Sequence, residues 1–297
     1  MANLSRRQFI GTAIAGAASA IAAPGVLGTA QTGKRSATDW VPLGKTGLKI
    51  PRLGMGTGSI GGRIQRDLGQ KGLDRLVRYA YDQGVRYFDT AQNYRIHTML
   101  GKALKGLPRE KIFIQSKVPW NKRRDAAKAV DEYRKELDTD YIDSVLLHCV
   151  TTPGWVSDLA RMQDELSDKK SRQHIRGHGA SAHGIPGLTG LTQCDWAEVN
   201  LCRLNPQGKH VDGAAGKWDE PGNVPAAVEG IRKIHEAGRG VIAMKLIGNG
   251  SFTDPRDREK AIQFVMKQDF VDAVVIGFKS PAEIDEAIER INRALNS

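Results

Sequence analysis

Short apolar runs alternate with longer amphipathic stretches along most of the chain. The apolar runs predict buried strands, and apolar residues recurring every three or four positions predict helices. The predicted strands cover 53–58, 86–89, 111–117, 143–148, 176–180, 196–201, 240–246 and 272–277. The predicted helices lie near 73–83, 97–105, 124–137, 155–168, 223–237, 255–267 and 281–295, with a glycine-rich, short or irregular return after the fifth strand. Eight strand–helix units in about 250 residues predict an α/β fold, the (β/α)8 TIM barrel.

Two segments near the start of this region fall outside the alternation. Residues 40–51 contain Gly44 and Gly47 between short apolar runs, which predicts a β-hairpin preceding the first barrel strand. Residues 59–72 carry glycine and arginine and are predicted to form a polar loop before the first helix.

Three of the predicted strands share an unusual ending. The strand at 86–89 ends in Asp89, the strand at 111–117 in Lys117 and the strand at 143–148 in His148, and Tyr94 follows Asp89 by five positions. Separately, these residues could be a helix cap, a surface lysine, a core histidine and a loop aromatic. Because parallel barrel strands all open on one face, their joint occurrence predicts that the four side chains converge in an active site.

The four groups suit one kind of chemistry. A free tyrosine has a pKa of about 10 and is a poor acid at neutral pH. A neighbouring ammonium favours the phenolate and is expected to lower the pKa of Tyr94, while Asp89 keeps Lys117 charged and oriented. His148 can hydrogen-bond a substrate oxygen. The set predicts a tuned general acid for carbonyl reduction, in which the oxygen gains a proton as the carbon gains hydride.

The same residues carry a family resemblance. The sequences FDTAQNY, SK at a strand end and DSVLLH, with LGKTGLKIPRLGMGTG before them and LGKALKG between them, resemble the aldo-keto reductase family over roughly residues 40–295. The resemblance implies a monomeric, NAD(P)H-dependent oxidoreductase acting on a small-molecule aldehyde or ketone. It implies that Tyr94 is the general acid, that Lys117 and Asp89 tune it, and that His148 orients the substrate.

The resemblance also implies a cofactor site along the later strands. A serine follows the fifth strand, a methionine covers the nicotinamide, a glycine turn follows the seventh strand and a phosphate-binding segment follows the eighth. The implied residues are Gly56, Thr57, Ser181, Asn200, Met244, Lys245, Gly248, Asn249, Gly250, Lys279, Ser280 and Glu283.

Several positions depart from the family pattern at the cofactor site. Ala182 replaces a usual asparagine, Ala287 replaces another, and Glu283 stands where many members carry an arginine for the 2′-phosphate. Lys279 still supplies one cation, so NADP(H) is expected, with NAD(H) as the alternative. Cys149-Val150-Thr151 follows His148 in place of the family's polar or aromatic run, which leaves the carbonyl substrate open.

The sequence also allows two other interpretations. Gly56 to Gly61 fits the GxGxxG pattern of an open dinucleotide-binding sheet, but the predicted loop follows instead of a helix, and Asp89 lies farther away than the roughly 20 residues that pattern requires. The second interpretation is a barrel that binds a cofactor or ligand without catalysis, as a sensor or interaction module.

The first 30 residues predict an export signal. Arg6 and Arg7 precede Phe9 and an uncharged run rich in alanine and glycine, and small residues end at Ala30. The pattern resembles a twin-arginine signal, which implies the twin-arginine (Tat) export machinery as a partner and a periplasmic location. We expect cleavage near Ala30, a linker at 31–39 and a barrel domain at 40–297; an uncleaved membrane anchor is the alternative.

Charge and cysteine content exclude other classes. The net charge is +11, but the basic residues are interspersed with acids and form no cluster with aromatics, so no nucleic-acid role is expected. Cys149, Cys194 and Cys202 have neither disulfide nor CxxC spacing, and the histidines show no metal-ligand pattern, so no metal site is expected.

Overall fold

The computed structural model describes residues 34–120 and 124–297. The predicted signal at 1–30, including Arg6 and Arg7, lies outside these residues. A two-stranded antiparallel hairpin comes first, formed by β1 (Trp40–Pro42) and β2 (Lys49–Pro51). Within the described residues no helix is both long and apolar enough to span a membrane.

Eight parallel strands close into a barrel, so the predicted (β/α)8 architecture is confirmed. Each strand pairs with its neighbours in chain order, and the last strand pairs with the first. The barrel strands are β3 (Leu53–Gly56), β4 (Tyr87–Asp89), β5 (Phe113–Pro119), β6 (Ile142–Val150), β7 (Ile175–Ala182), β8 (Val199–Arg203), β9 (Gly240–Met244) and β10 (Ala273–Gly277).

Helices flank the barrel and bury one face each against it. In the helix at 69–82, for example, Leu73, Leu76, Val77 and Ala80 recur at helical spacing and are buried. The helices are α1 (Arg63–Asp67), α2 (Gly69–Asp82), α3 (His97–Leu104), α4 (Ala126–Leu137), α5 (Trp155–Asp158), α6 (Ala160–Ser171), α7 (Ile185–Thr192), α8 (Val224–Glu236), α9 (Pro255–Met266) and α10 (Pro281–Leu295).

Two apolar cores follow from strand alternation. One side of each strand packs against the helices, and the other fills the barrel interior with residues such as Tyr87, Phe113 and Leu201. Leu43 and Ile50 of the hairpin join the interior core. The Asp272 carboxylate accepts the Gly44 N–H, so the hairpin closes the end of the barrel where the strands begin.

The structure corrects the predicted boundaries near the first glycines. Residues 59–72 are not a continuous loop, because α1 begins at Arg63 and α2 at Gly69. A helix soon after Gly61 satisfies part of the GxGxxG pattern, yet the closed barrel excludes the open sheet that the pattern implies. Strands β5 and β6 also continue two residues past Lys117 and His148.

Candidate active site

The four predicted catalytic side chains meet at the end of the barrel where the strands finish. Asp89, Lys117 and His148 continue the inward-facing alternation of Tyr87, Phe113 and Leu146. The Lys117 Nζ lies 2.6 Å from the Asp89 Oδ1 and 5.3 Å from the centroid of the Tyr94 ring. The Tyr94 hydroxyl lies 3.4 Å from the His148 Nε2. All four side chains therefore share one site.

A buried polar network below the site fixes the Asp89–Lys117 pair. The Gln115 Nε2 donates to the Asp89 Oδ1 at 2.8 Å and to the Tyr87 hydroxyl at 2.9 Å. The Ser144 hydroxyl donates to the Gln115 Oε1 at 2.8 Å. Gln115 was not predicted as a site residue, although strand alternation places it on the same inward-facing side as Lys117.

Tyr94 lies at the end of a short 3₁₀ helix, Gln92–Tyr94, which follows β4. The Tyr133 hydroxyl of α4 donates to the Gln92 side chain at 2.8 Å and ties this turn to the helix layer. Gly58 packs against the phenol: a Cβ there would lie 2.6 Å from the Tyr94 Cζ. Any larger residue at position 58 would displace the ring from His148.

The electrostatics of Tyr94 differ from the prediction. Burial raises the pKa of Tyr94 well above its usual value, and the negative charge of Asp89 raises it further. The expected lowering by Lys117 is absent, because the ammonium is already neutralised by Asp89 and the phenol is removed from water. Tyr94 is therefore a protonated phenol throughout the neutral range.

His148 is held in its neutral form. Burial, followed by the charges of Lys117 and Lys245, lowers the pKa of His148 to about 3. Its Nδ1 has no hydrogen-bond partner among the described residues. A neutral imidazole beside the phenol can donate one hydrogen bond to a substrate oxygen without adding a charge.

A cavity of about 480 Å³ opens from Tyr94 and Asp89 towards the start of α10. Its walls come from the loop after β3, the loop after β9 and the segment after β10. Among the predicted cofactor residues, those lining this cavity are Gly56, Met244, Lys245, Asn249, Gly250, Lys279 and Glu283.

The loop after β9 forms a tight glycine turn. Gly248, Asn249 and Gly250 all have positive φ values, of +57°, 56° and +91°. No atom lies within 4 Å of a Cβ built on Gly250, so the backbone there is open to the cavity. The Gly248 and Gly250 N–H groups donate to the Lys245 and Ile247 carbonyls, at 2.9 and 3.0 Å, so the turn is closed by its own hydrogen bonds.

Lys245 lies between the phenol and this turn. Its Nζ donates to the Asn249 Oδ1 at 3.0 Å, and no carboxylate lies within ion-pair distance of it among the described residues. Burial, and next the charge of Arg203, lower the pKa of Lys245 to about 8. The ammonium therefore carries most of the uncompensated positive charge on this wall at neutral pH.

The far end of the cavity carries both signs of charge. Glu283 accepts the Lys279 backbone N–H at 2.8 Å and lies 3.7 Å from the Lys279 Nζ. Arg258 and Arg290 also line the cavity, and each donates to the Glu286 carboxylate at 2.8 Å. These two arginines were not predicted, because no sequence resemblance pointed to the helices that carry them.

Two predicted cofactor residues are placed elsewhere. Asn200 lies near the start of β8 and faces the helix layer, because its neighbours Val199 and Leu201 face the barrel interior. Its Nδ2 donates to the Ala197 and Gly240 carbonyls. The Thr57 hydroxyl is fully buried and donates to the Asp89 carbonyl at 3.0 Å, so it joins two strands instead of facing the cavity.

Three further predicted cofactor residues lie at the end of the barrel where the strands finish, without lining the cavity. The Ser181 hydroxyl is buried and has no hydrogen-bond partner among the described residues. Gly248 is buried within its turn, and Ser280 precedes α10 without capping it through its side chain. The uncapped helix start leaves backbone N–H groups available to an anion.

Arg203 was not identified from the sequence although it ends β8 at the same level as Met244 of β9. It follows Val199 and Leu201 on the inward-facing side of the strand and is fully buried. Its Nε donates to the Asp212 Oδ1 at 2.6 Å. An inward-facing arginine at a strand end was the available signal. No group of three or more metal-ligating side chains is present in the described residues.

Comparisons with known proteins agree with this geometry. The model of the aldo/keto reductase family matches residues 52–194. The NADH-specific methylglyoxal reductase of Escherichia coli K12 is 28% identical over 48% of this chain and 51% of its own length. The methylglyoxal reductase YeaE of the same organism is 32% identical over 58% of this chain and 59% of its own length. The chain thus spans just over half the length of these two relatives.

The fold comparison extends over nearly the whole barrel. The crystal structure of PA4992 from Pseudomonas aeruginosa superposes with a TM-score of 0.70 at 23% identity. The match covers 88% of this chain and 98% of that one. The fold and the family match agree with the motifs at 86–94, 116–117 and 143–148. The match of the family model to residues 52–194 and the shared barrel fold together support an NAD(P)-dependent oxidoreductase similar to the aldo/keto reductases.

Proposed function

We propose that this protein reduces a small aldehyde or ketone to the alcohol, with Tyr94 as the general acid. One observation carries the proposal. The Tyr94 hydroxyl lies 3.4 Å from the His148 Nε2, on the wall of a cavity that continues without interruption to the glycine turn and to the start of α10. A proton donor and a groove suited to a dinucleotide are thus parts of one space.

Each residue of the site has a separate role in the proposed reaction. Bound NAD(P)H supplies hydride to the carbonyl carbon. The Tyr94 hydroxyl gives its proton to the carbonyl oxygen, which the neutral His148 imidazole holds by a hydrogen bond. The raised pKa of Tyr94 keeps that proton in place until negative charge develops on the substrate oxygen. The Lys117 ammonium, which lies beside the ring, then offsets part of the negative charge that Asp89 places near the phenolate that remains.

The chain's own groups fit a dinucleotide in the cavity. The uncapped start of α10 suits phosphate oxygens, and the backbone at Gly250 leaves space for them to approach. The Lys245 ammonium adds a positive charge between this region and Tyr94. Met244 lines the wall where a flat ring could lie against a thioether.

We propose NADP(H) as the preferred cofactor, with NAD(H) also accepted. Lys279, Arg258 and Arg290 bring three cations to the far end of the cavity, but Glu283 and Glu286 engage them. Such a balanced set supports only a small preference for the additional phosphate of NADP(H). Among the relatives, one is named as an NADH-specific reductase and another as an NADP(+) glycerol 2-dehydrogenase, so both cofactor choices occur among similar proteins.

The test is direct. Purified protein is mixed with NADPH or NADH and a panel of carbonyl compounds that includes methylglyoxal, the substrate named for two relatives. We expect loss of reduced-nicotinamide absorbance that depends on both components, and the matching alcohol by mass spectrometry. Binding of the nucleotide without any turnover across the panel would instead favour the non-catalytic module considered above.

We also propose export by the twin-arginine route. The support is the sequence alone: paired arginines at 6 and 7, an uncharged run and a small-residue site ending at Ala30. A route that moves folded protein suits a barrel whose nucleotide is made in the cytoplasm, since the ligand can be bound before export.

A further inference from the structure

Arg203 and Asp212 form a buried ion pair that is only half satisfied. Both side chains are fully buried, and their one contact joins the Arg203 Nε to the Asp212 Oδ1 at 2.6 Å. The Gly184 N–H also donates to that same oxygen, at 2.7 Å. The Arg203 Nη1 and Nη2 and the Asp212 Oδ2 have no hydrogen-bond partner among the described residues. Leaving such atoms unpaired is costly, so this arrangement points to a ligand.

The unpaired atoms lie at the cofactor end of the barrel. Arg203 pairs in register with Met244, which lines the cavity. On the other side of β8, Ser181 of β7 pairs in register with Leu201, and its hydroxyl is likewise buried and unpaired. Ser181 thus lies one inward-facing position below Arg203 on the neighbouring strand, and both carry unpaired polar atoms.

The pairing requirement selects the ligand chemistry. A primary carboxamide both accepts and donates hydrogen bonds, so it can satisfy Arg203 and Asp212 together. A carboxylate offers no donor, and the negative Asp212 would repel it. We infer that Arg203 and Asp212, with Ser181, bind the carboxamide of the nicotinamide ring, an inference that rests on the proposed function.

The neighbouring strand positions 182, 200 and 201 supply no free polar group for this contact. Asn200 faces the helix layer and already donates to two carbonyls. Ala182 and Leu201 have apolar side chains. The ion pair therefore offers a contact that neither Ala182 nor Asn200 can make.

The experiment measures binding, not turnover. Dissociation constants are determined by protein-fluorescence titration for NADP⁺ and for its 3-acetylpyridine analogue, which keeps the carbonyl but lacks the N–H donors. We expect the wild type to prefer NADP⁺ by about tenfold, the size of one buried donor–acceptor contact. In Asp212→Asn, which preserves shape and can still accept from Gly184 and Arg203, the preference should fall to about one.

Two controls separate a specific role from a structural one. Glu220→Gln makes the same carboxylate-to-amide change in the same loop, where Glu220 accepts from Ala215 and Lys217, and should leave the preference intact. Arg203→Met removes the donor to the ring carbonyl, which NADP⁺ and the analogue share, so it should weaken both to a similar extent and leave binding of 2′-phospho-ADP-ribose, which has no nicotinamide, unchanged. A purely structural arginine would weaken all three ligands. Circular dichroism and thermal melting identify any variant that fails to fold.

Three outcomes would overturn the inference. Equal binding of NADP⁺ and the analogue by the wild type would show that the donor contact is absent. Unchanged preference in Asp212→Asn would move the contact elsewhere, and tighter binding of the nicotinic acid analogue than of NADP⁺ would make Arg203 an anion site. Failure of every dinucleotide to bind the folded wild type would overturn the proposed function as well.

Discussion

At the scale of single residues, the site is governed by which charges are already paired. Lys117 and Asp89 neutralise each other at 2.6 Å with side chains only 1% and 7% exposed. The phenol of Tyr94 therefore responds mainly to its burial, and its pKa is raised instead of lowered. The sequence identified the four residues, but the sign of the pKa change depended on burial and pairing, which residue spacing cannot reveal.

Replacing Lys117 by methionine separates these two influences. The Asp89 charge would then be unopposed, so the pKa of Tyr94 should rise further and the basic limb of the alcohol-oxidation profile should move to higher pH. Leaving a buried carboxylate unpaired should also lower the free energy of unfolding by about 3–5 kcal/mol. The measurements are kcat/KM against pH and urea denaturation. A profile that overlays the wild type would contradict the role of Lys117 beside the phenol.

Lys245 predicts a pH dependence of cofactor binding. Its ammonium is protonated below about 8, where it attracts the phosphates, and loses its charge as pH rises through that value. Affinity for NADP⁺ should therefore fall above about pH 8, while bound phosphate delays the loss by favouring the charged lysine. Fluorescence titrations across pH test this. In Lys245→Arg the affinity for NADP⁺ should not change across this pH range, because arginine stays charged. If the affinity still falls above about pH 8 in Lys245→Met, another group is responsible for the pH dependence.

At the scale of elements, periodicity predicted the strands and most helices because their apolar positions repeat regularly. Leu73, Leu76 and Val77 indicate a helix from sequence alone. The short helix Arg63–Asp67 escaped prediction because glycines precede it and it buries only Gln65. Asn200 was misplaced for another reason: one residue of register decides whether a strand side chain faces the interior or the helices.

Glu283, near the start of α10, is predicted to influence the choice between NADP⁺ and NAD⁺. Glu283 holds the Lys279 backbone N–H and places a negative charge on the cavity wall. Glu283→Arg should shift selectivity towards NADP⁺ over NAD⁺ by about 1–3 kcal/mol, the span of one charge-assisted contact. Glu283→Gln keeps an acceptor for Lys279 and should shift it less. Dissociation constants for both nucleotides give the answer, and an unchanged ratio in the arginine variant would place Glu283 away from the 2′-phosphate.

At the scale of the whole molecule, the closed barrel explains why distant motifs form one site. The (β/α)8 fold brings the ends of β4, β5 and β6 beside those of β8 and β9, so residues from 89 to 245 share one mouth. The family resemblance correctly predicted that Asp89, Tyr94, Lys117 and His148 lie together at this end of the barrel. The resemblance did not predict the Arg203–Asp212 pair. The loop after β8 brings Asp212 back to the end of that strand, and no local sequence pattern indicates this contact.

Export is the prediction for the whole chain. Replacing Arg6 and Arg7 together by lysine should leave folded precursor in the cytoplasm, because the twin-arginine signal requires the pair. Mature protein from the periplasm should carry nucleotide, whose binding stabilises the folded state by RT ln(1 + [L]/Kd). Cell fractionation and mass spectrometry of the released ligand test both statements. Normal periplasmic accumulation of the lysine variant would indicate another route, and nucleotide-free mature protein would contradict loading before export.

The most direct test of the central claim is the turnover of Tyr94→Phe with NADPH and a carbonyl compound that the wild type reduces. The change removes only the hydroxyl that lies 3.4 Å from the His148 Nε2 and leaves the ring to pack against Gly58. We predict a fall in kcat of about 10²–10⁴-fold, the contribution of a positioned general acid, with the dissociation constant for NADPH unchanged. A variant that keeps more than about a tenth of the wild-type kcat, well short of that loss, would show that Tyr94 is not the acid.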